Sequence, residues 1–163
     1  MIPLSVLALA VMPMLSLELP VQAKLASLRH DYRPLLIFSA SANEEFRQQM
    51  RILAERAEEL RRRQVLVIPV LLRQSAEGKE DKRKRKTLPV ALPVTETAEL
   101  EPEEYALARR RFHIGENDFA VILLGKDGGE KLRSPTPVRI ERLIKLIDSM
   151  PIRQKELRDG HSG

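Results

Sequence analysis

The chain has 163 residues, of which 43% are hydrophobic, 31% charged and only 4% aromatic, with a formal net charge of +5. That length fits one domain of ordinary size, and the shortage of aromatics leaves Leu, Ile and Val to build its core. Cysteine is absent, which excludes disulfide bonds and every reaction that needs a thiolate.

Met1 to Ala23 contains no Lys, Arg or Asp, is dominated by Leu, Val, Ala and Met, and ends in "VQA", the small-x-small pattern of a signal-peptidase site. We read 1–23 as a secretory signal peptide and 24–163 as a single domain. The n-region "MIPL" lacks the usual positive charge, and a retained transmembrane anchor is the alternative reading. Pro13, Glu18 and Pro20 argue against an anchor, because a carboxylate deep in a bilayer costs about 2.5–3.5 kcal/mol. The expectation is therefore an exported protein, periplasmic or extracellular, with no stable membrane span after cleavage.

Arg33 to Ser39, "RPLLIFS", is a short apolar run with polar flanks, the pattern of a central strand buried on both faces. From Asn43 the period changes. Phe46, Met50, Leu53, Ala57 and Leu60 recur at spacings of three and four, Asn43 is placed to cap, and Glu44 and Glu45 suit the positive end of a helix dipole. The spacing predicts one amphipathic helix closing on Arg61, Arg62 and Arg63. Val65 to Leu72, "VLVIPVLL", is a second strand, and Pro69 inside it points to an edge or a bulge.

Periodicity then fails. Residues 75–100 carry the charge block "KEDKRKRK" followed by a stretch rich in Pro, Val and Thr, which we read as a flexible basic insertion. Order resumes with a helix from Pro102 through Tyr105, Leu107 and Ala108 to Arg109–Arg111. "FAVILL", Phe119 to Leu124, is a third buried strand. Asp127-Gly128-Gly129 supplies the positive φ of a hairpin turn, and Glu130 to Arg133 returns as a shorter strand. A last helix follows, with Thr136 as its N-cap, Pro137 in its first turn and Ile140, Leu143, Ile144 and Ile147 on one face; it stops before Pro151. The order predicts an α/β, thioredoxin-like three-layer sandwich around a central mixed four-stranded sheet.

"YRPLLIFS" (Tyr32 to Ser39), "LLGKDGGEKLRS" (Leu123 to Ser134) and "LIDSMPIRQKELR" (Leu146 to Arg158) together resemble domain-of-unknown-function family 4174. The resemblance spans most of the chain outside the insertion. It implies a thioredoxin-like fold and an exported setting, as in bacterial exported proteins and animal matrix and sushi-repeat proteins, and it carries no established reaction. Thioredoxins place Cys-x-x-Cys where the first strand meets the first helix and a cis-proline before the third strand. Here those places read "SASANEE" and "HIGENDF", so disulfide exchange is ruled out.

A closing helix antiparallel to the fourth strand would return its C-terminus to the turn between the third and fourth strands. Lys126 and Asp127 should then lie near Asp148, Arg153 and Glu156, with Lys126 paired to Asp148 or to helix-end carbonyls and Asp127 shaping the turn. Lys126, Asp127, Asp148 and Arg153 are the candidate binding residues, either as this structural arrangement or as a docking patch. Lys82, Arg83, Lys84, Arg85 and Lys86 form a basic loop suited to an anionic envelope polymer; without interleaved aromatics, and with export, nucleic acid is not an expected partner.

No catalytic residues emerge. Ser39, Ser41, Asn43 and His113 could approach one another, but no Gly-x-Ser-x-Gly elbow or orienting acid accompanies them. His30, His113 and His161 are isolated, and "GKDGGEKL" lacks calcium-loop ligands, so neither metal nor cofactor is expected. The reading is a non-catalytic module that binds a protein or an envelope polymer; an enzyme or antioxidant accessory derived from the thioredoxin or peroxiredoxin group is the alternative. If the insertion is flexible, deleting Ser75 to Ala98 leaves the melting temperature nearly unchanged, and a large drop would show that it packs.

Overall fold

The computed structural model describes residues 25–71 and 102–160. The expected signal segment and the basic insertion with Lys82, Arg83, Lys84, Arg85 and Lys86 lie outside the described residues. In chain order the elements are β1 (Arg33–Ser39), α1 (Glu44–Glu55), α2 (Ala57–Arg61), β2 (Val65–Leu71), α3 (Pro102–Phe112), β3 (Ala120–Leu124), β4 (Glu130–Ser134), α4 (Ile140–Asp148) and α5 (Pro151–Asp159). The sheet order is β2-β1-β3-β4. β1 and β2 are parallel, while β3 runs antiparallel to both β1 and β4.

Period-two alternation sends neighbouring side chains of each inner strand into different layers. Leu35, Ile37, Val121 and Leu123 meet Phe46, Met50 and Leu53 of α1 and Leu143 and Ile147 of α4. On the other face Leu36, Phe38 and Ile122 meet Ala108 and Phe112 of α3. The result is the expected three-layer α/β sandwich with an aliphatic core on each side of the sheet. Pro69 lies on β2, an edge strand, where a missing backbone donor is tolerated.

Three local expectations need correction. The predicted single helix breaks at Arg56, whose φ of −132° and ψ of 40° separate α1 from α2; its carbonyl accepts from the N–H groups of Glu59 and Leu60. The closing helix starts at Ile140, not after a Thr136 cap. The cause is a buried side chain from α1: Val138 N–H donates to Gln49 Oε1 at 2.6 Å, and Gln49 Nε2 donates to Val138 O at 3.3 Å. Both backbone groups are thus engaged in an extended arrangement, which delays the helix. Finally, Pro151 does end α4, but it also begins α5, because proline is well suited to a first helical position.

Replacing Gln49 with Met keeps its length but strands a buried N–H and a buried carbonyl, so the variant should lose about 2 kcal/mol in urea unfolding. A loss below about 0.5 kcal/mol would mean that the amide pair does not hold this segment.

Candidate functional site

The hairpin between β3 and β4 is closed by Gly128 N donating to Gly125 O at 2.9 Å and Gly125 N to Gly129 O at 2.8 Å. Gly128 has a φ of 78°, a left-handed conformation that favours glycine. Asp127 shapes this turn. Its Oδ1 accepts from Gly129 N at 3.1 Å and its Oδ2 pairs with Lys131 Nζ at 2.6 Å. The hydrogen bond from Lys131, with help from Gly129, holds the Asp127 carboxyl below the usual carboxylate range.

Lys126 turns the other way, towards α5. Its Nζ lies 2.7 Å from Glu156 Oε1, with only 11% of the lysine side chain exposed. Arg33, at the start of β1 and 1% exposed, reaches the same oxygen through Nη2 at 3.1 Å. Arg153 Nη1 meets Glu156 Oε2 at 3.1 Å. Three cations from three parts of the chain therefore converge on one carboxylate. Arg33 Nη1 is further held by Arg63 O at 2.8 Å and Gln64 Oε1 at 3.4 Å, and Lys126 O accepts from His30 N at 2.9 Å.

Asp148 has a separate partner. Arg63 grips it in bidentate fashion, Nε to Oδ1 and Nη2 to Oδ2, both at 2.8 Å. Arg153 stands 3.7 Å away, too far for a hydrogen bond but close enough to bias charge. The Arg63 hydrogen bonds outweigh desolvation and hold the Asp148 carboxyl below its ordinary range. At Glu156 burial opposes ionisation most strongly, yet hydrogen bonds from Lys126, Arg33 and Arg153 together outweigh it and leave that carboxyl lowered as well. Both acids stay charged.

Topology thus brings Lys126, Asp127, Asp148 and Arg153 to one end of the sheet, but not in the predicted pairs. Lys126 binds Glu156 and not Asp148, because α5 continues the chain past Asp148 and carries Glu156 back beneath the turn. Sequence reasoning misses Arg33 and Arg63 as members. The signal for Arg33 was an arginine opening an otherwise apolar strand, which burial leaves no choice but to pair. Beside the cluster is a cavity of about 170 Å³ lined by Arg33, Gly125, Lys126, Asp127, Lys131, Met150, Pro151 and Ile152.

At the far end of β1, Ser39 Oγ lies 2.7 Å from Ser41 O and 3.2 Å from Asn43 Oδ1, and Asn43 caps α1 by accepting from Phe46 N at 3.0 Å. These groups form a closed helix-capping turn, and none makes a hydrogen bond to His113. Arg109, in the last turn of α3, is buried at 4% exposure. Its guanidinium packs 5.9 Å from the Phe38 ring centroid and Nη1 donates to Gly115 O. Among the described residues, no three His, Cys, Asp or Glu side chains gather as a metal site, and no helix is long and apolar enough to cross a membrane.

Residues 24–156 match the model of a family described as a domain of unknown function, DUF4174. The fold is similar to that of Plasmodium yoelii thioredoxin peroxidase I, with 13% identity over 80% of this chain and 79% of that chain and a TM-score of 0.53. It is also similar to Plasmodium yoelii Prx1a modified at its N-terminus, a form described as an artifactual octamer, at 14% identity over 80% of each chain and a TM-score of 0.54. At such identities the likeness concerns the fold alone. No curated protein matches the sequence.

Glu156→Gln removes the acid that Arg33 and Lys126 share, and should destabilise by about 2–4 kcal/mol, as expected for cations left without a partner in a mostly buried site. Because the folded values of Asp148 and Glu156 are lowered, their contribution is complete above the unfolded carboxylate range near pH 4 and is lost as pH falls through the folded values. Acid unfolding should therefore be shallower in the Glu156→Gln, Asp148→Asn double variant than in the wild type; equal slopes would contradict the assignment.

Proposed function

Because the chain belongs to the DUF4174 family and has the thioredoxin-like fold, we propose that it is an exported, non-redox binding module. The observation that carries this reading is the absence of any cysteine from the chain, set beside a functional pole rebuilt as the Ser39–Asn43 cap. Thiol–disulfide exchange and thiol-based peroxide reduction both require a thiolate nucleophile. The peroxidase name of the similar structure belongs to that protein and describes sulfur chemistry that this chain lacks.

Export is supported by the first 23 residues and by the family match, which begins at residue 24, directly after the expected cleavage site. Binding at the Glu156 end is supported by its charged side chains, held in fixed positions next to a cavity. The run Lys82, Arg83, Lys84, Arg85 and Lys86 offers a second surface for an anionic envelope polymer, since clustered cations release counterions from such polymers.

The purified protein should neither reduce insulin disulfides nor consume peroxide above the blank, and turnover in either assay would overturn the non-redox reading. A pull-down from envelope extract should recover a partner with wild-type protein. Loss of that partner on neutralising Lys82 to Lys86, or on Lys126→Gln, would locate the surface; an empty pull-down with wild type would count against a binding role.

A further inference from the structure

We infer that Asp127 is a latent site of covalent modification, isomerisation to isoaspartate through Gly128, and that Lys131 is the residue that holds it closed. The inference is independent of the binding role proposed above, because it concerns the chemistry of the turn's own backbone. The chain has two Asp-Gly steps, Asp127-Gly128 and Asp159-Gly160. A glycine after aspartate lacks the side chain that would shield its backbone nitrogen. In the reaction the Gly128 nitrogen attacks Asp127 Cγ: a C–N bond forms, the nitrogen gives up its proton, and the carboxyl OH leaves with it as water. The product is a five-membered cyclic imide, which water then opens at either carbonyl. Opening at Cγ restores aspartate. Opening at the main-chain carbonyl leaves the chain running through Cβ and Cγ, with no net change of mass. Water is the only co-reactant, and it reaches Asp127, whose side chain is 48% exposed.

The turn brings the reacting groups together and also restrains them. Asp127 Oδ1 accepts from Gly129 N at 3.1 Å, which folds the carboxyl over the two residues that follow it. Gly128 N donates its hydrogen to Gly125 O at 2.9 Å, so the attacking nitrogen is engaged in closing the hairpin. Oδ2 is held 2.6 Å from Lys131 Nζ. An ionised carboxylate has no OH to lose, and the Lys131 hydrogen bond is the main influence that keeps Asp127 ionised. Lys131 stands on β4, across the turn, so its grip lasts only while the hairpin is closed. The second Asp-Gly step is held differently. Gly160 N donates to Glu156 O at 2.9 Å at the end of α5, and Lys131 is committed to Asp127. Asp159 is therefore a reference within the same chain.

The consequence reaches the Glu156 cluster. Isomerisation adds one carbon to the main chain at Asp127, inside the loop closed by the Gly128–Gly125 and Gly125–Gly129 hydrogen bonds. Lys126 directly precedes the lengthened residue, and its Nζ lies 2.7 Å from Glu156 Oε1. Its carbonyl also holds His30 N at 2.9 Å. A longer turn cannot keep both hairpin bonds and both Lys126 contacts in place, so conversion of Asp127 loosens the join between the turn, α5 and the start of the domain.

The full chain is aged at neutral pH and physiological temperature, folded and in urea, and isoaspartate at Asp127 and Asp159 is read by peptide mapping with electron-transfer fragmentation, which separates the two isomers. Asp127 should convert several-fold more slowly in the folded wild type than in urea. Lys131→Met should speed conversion of Asp127 several-fold while leaving Asp159 unchanged, and Lys131→Arg, which keeps the charge and the donor, should stay near the wild-type rate. Lys131→Gln serves if the methionine variant does not fold. Converted protein should show displaced amide signals at Lys126 and Glu156. No isoaspartate at Asp127 even in urea would overturn the site. Equal rates folded and unfolded, an unchanged rate in the folded variant, or an equal rise at Asp159 would overturn the role of Lys131. Unmoved signals at Lys126 and Glu156 would remove the link to the cluster.

Discussion

The carboxylate of Glu156 is the point on which this end of the molecule turns. Arg33 arrives from the first residue of β1, Lys126 from the β3–β4 turn, and Arg153 from the same helix as Glu156 itself. None of these four side chains sits in bulk water, and burying charge is costly unless every partner is in place. The stabilisation gained over a well-packed apolar alternative is therefore small, but the penalty for any other arrangement is large. Such a network acts chiefly as a specification: it fixes how α5 lies against the sheet and which way Lys126 points.

That specification determines what the site can offer. With α5 held at this angle, Met150, Pro151 and Ile152 form one wall of the cavity, and Arg33, Lys126 and Lys131 line it beside them. Asp148 and Arg63 brace the arrangement from behind through their bidentate pair. They tie the end of α4 to the loop that precedes β2.

The two ends of β1 differ in character. Its C-terminal end carries Ser39 beside the Asn43 cap, while its N-terminal end carries Arg33. Over a strand of 7 residues at roughly 3.3 Å per residue, these ends stand about 20 Å apart. The length of the sheet thus separates the Glu156 cluster and its cavity from the Ser39–Asn43 cap.

Composition and periodicity alone determined much of this. The unbroken apolar runs in "RPLLIFS" and "FAVILL" specified strands buried on two faces, a spacing of three and four specified α1, and Asp127-Gly128-Gly129 specified the hairpin, because each is a local consequence of side-chain pattern or backbone freedom. The absence of cysteine determined which reactions were closed. Only the tertiary structure decided that Lys126 meets Glu156 and not Asp148, that Arg33 and Arg63 belong to the cluster, and that Gln49 delays α4. These are pairings over long sequence separations, set by which buried polar groups face one another once the layers close. A one-dimensional pattern shows that a charge must find a partner, and packing chooses which.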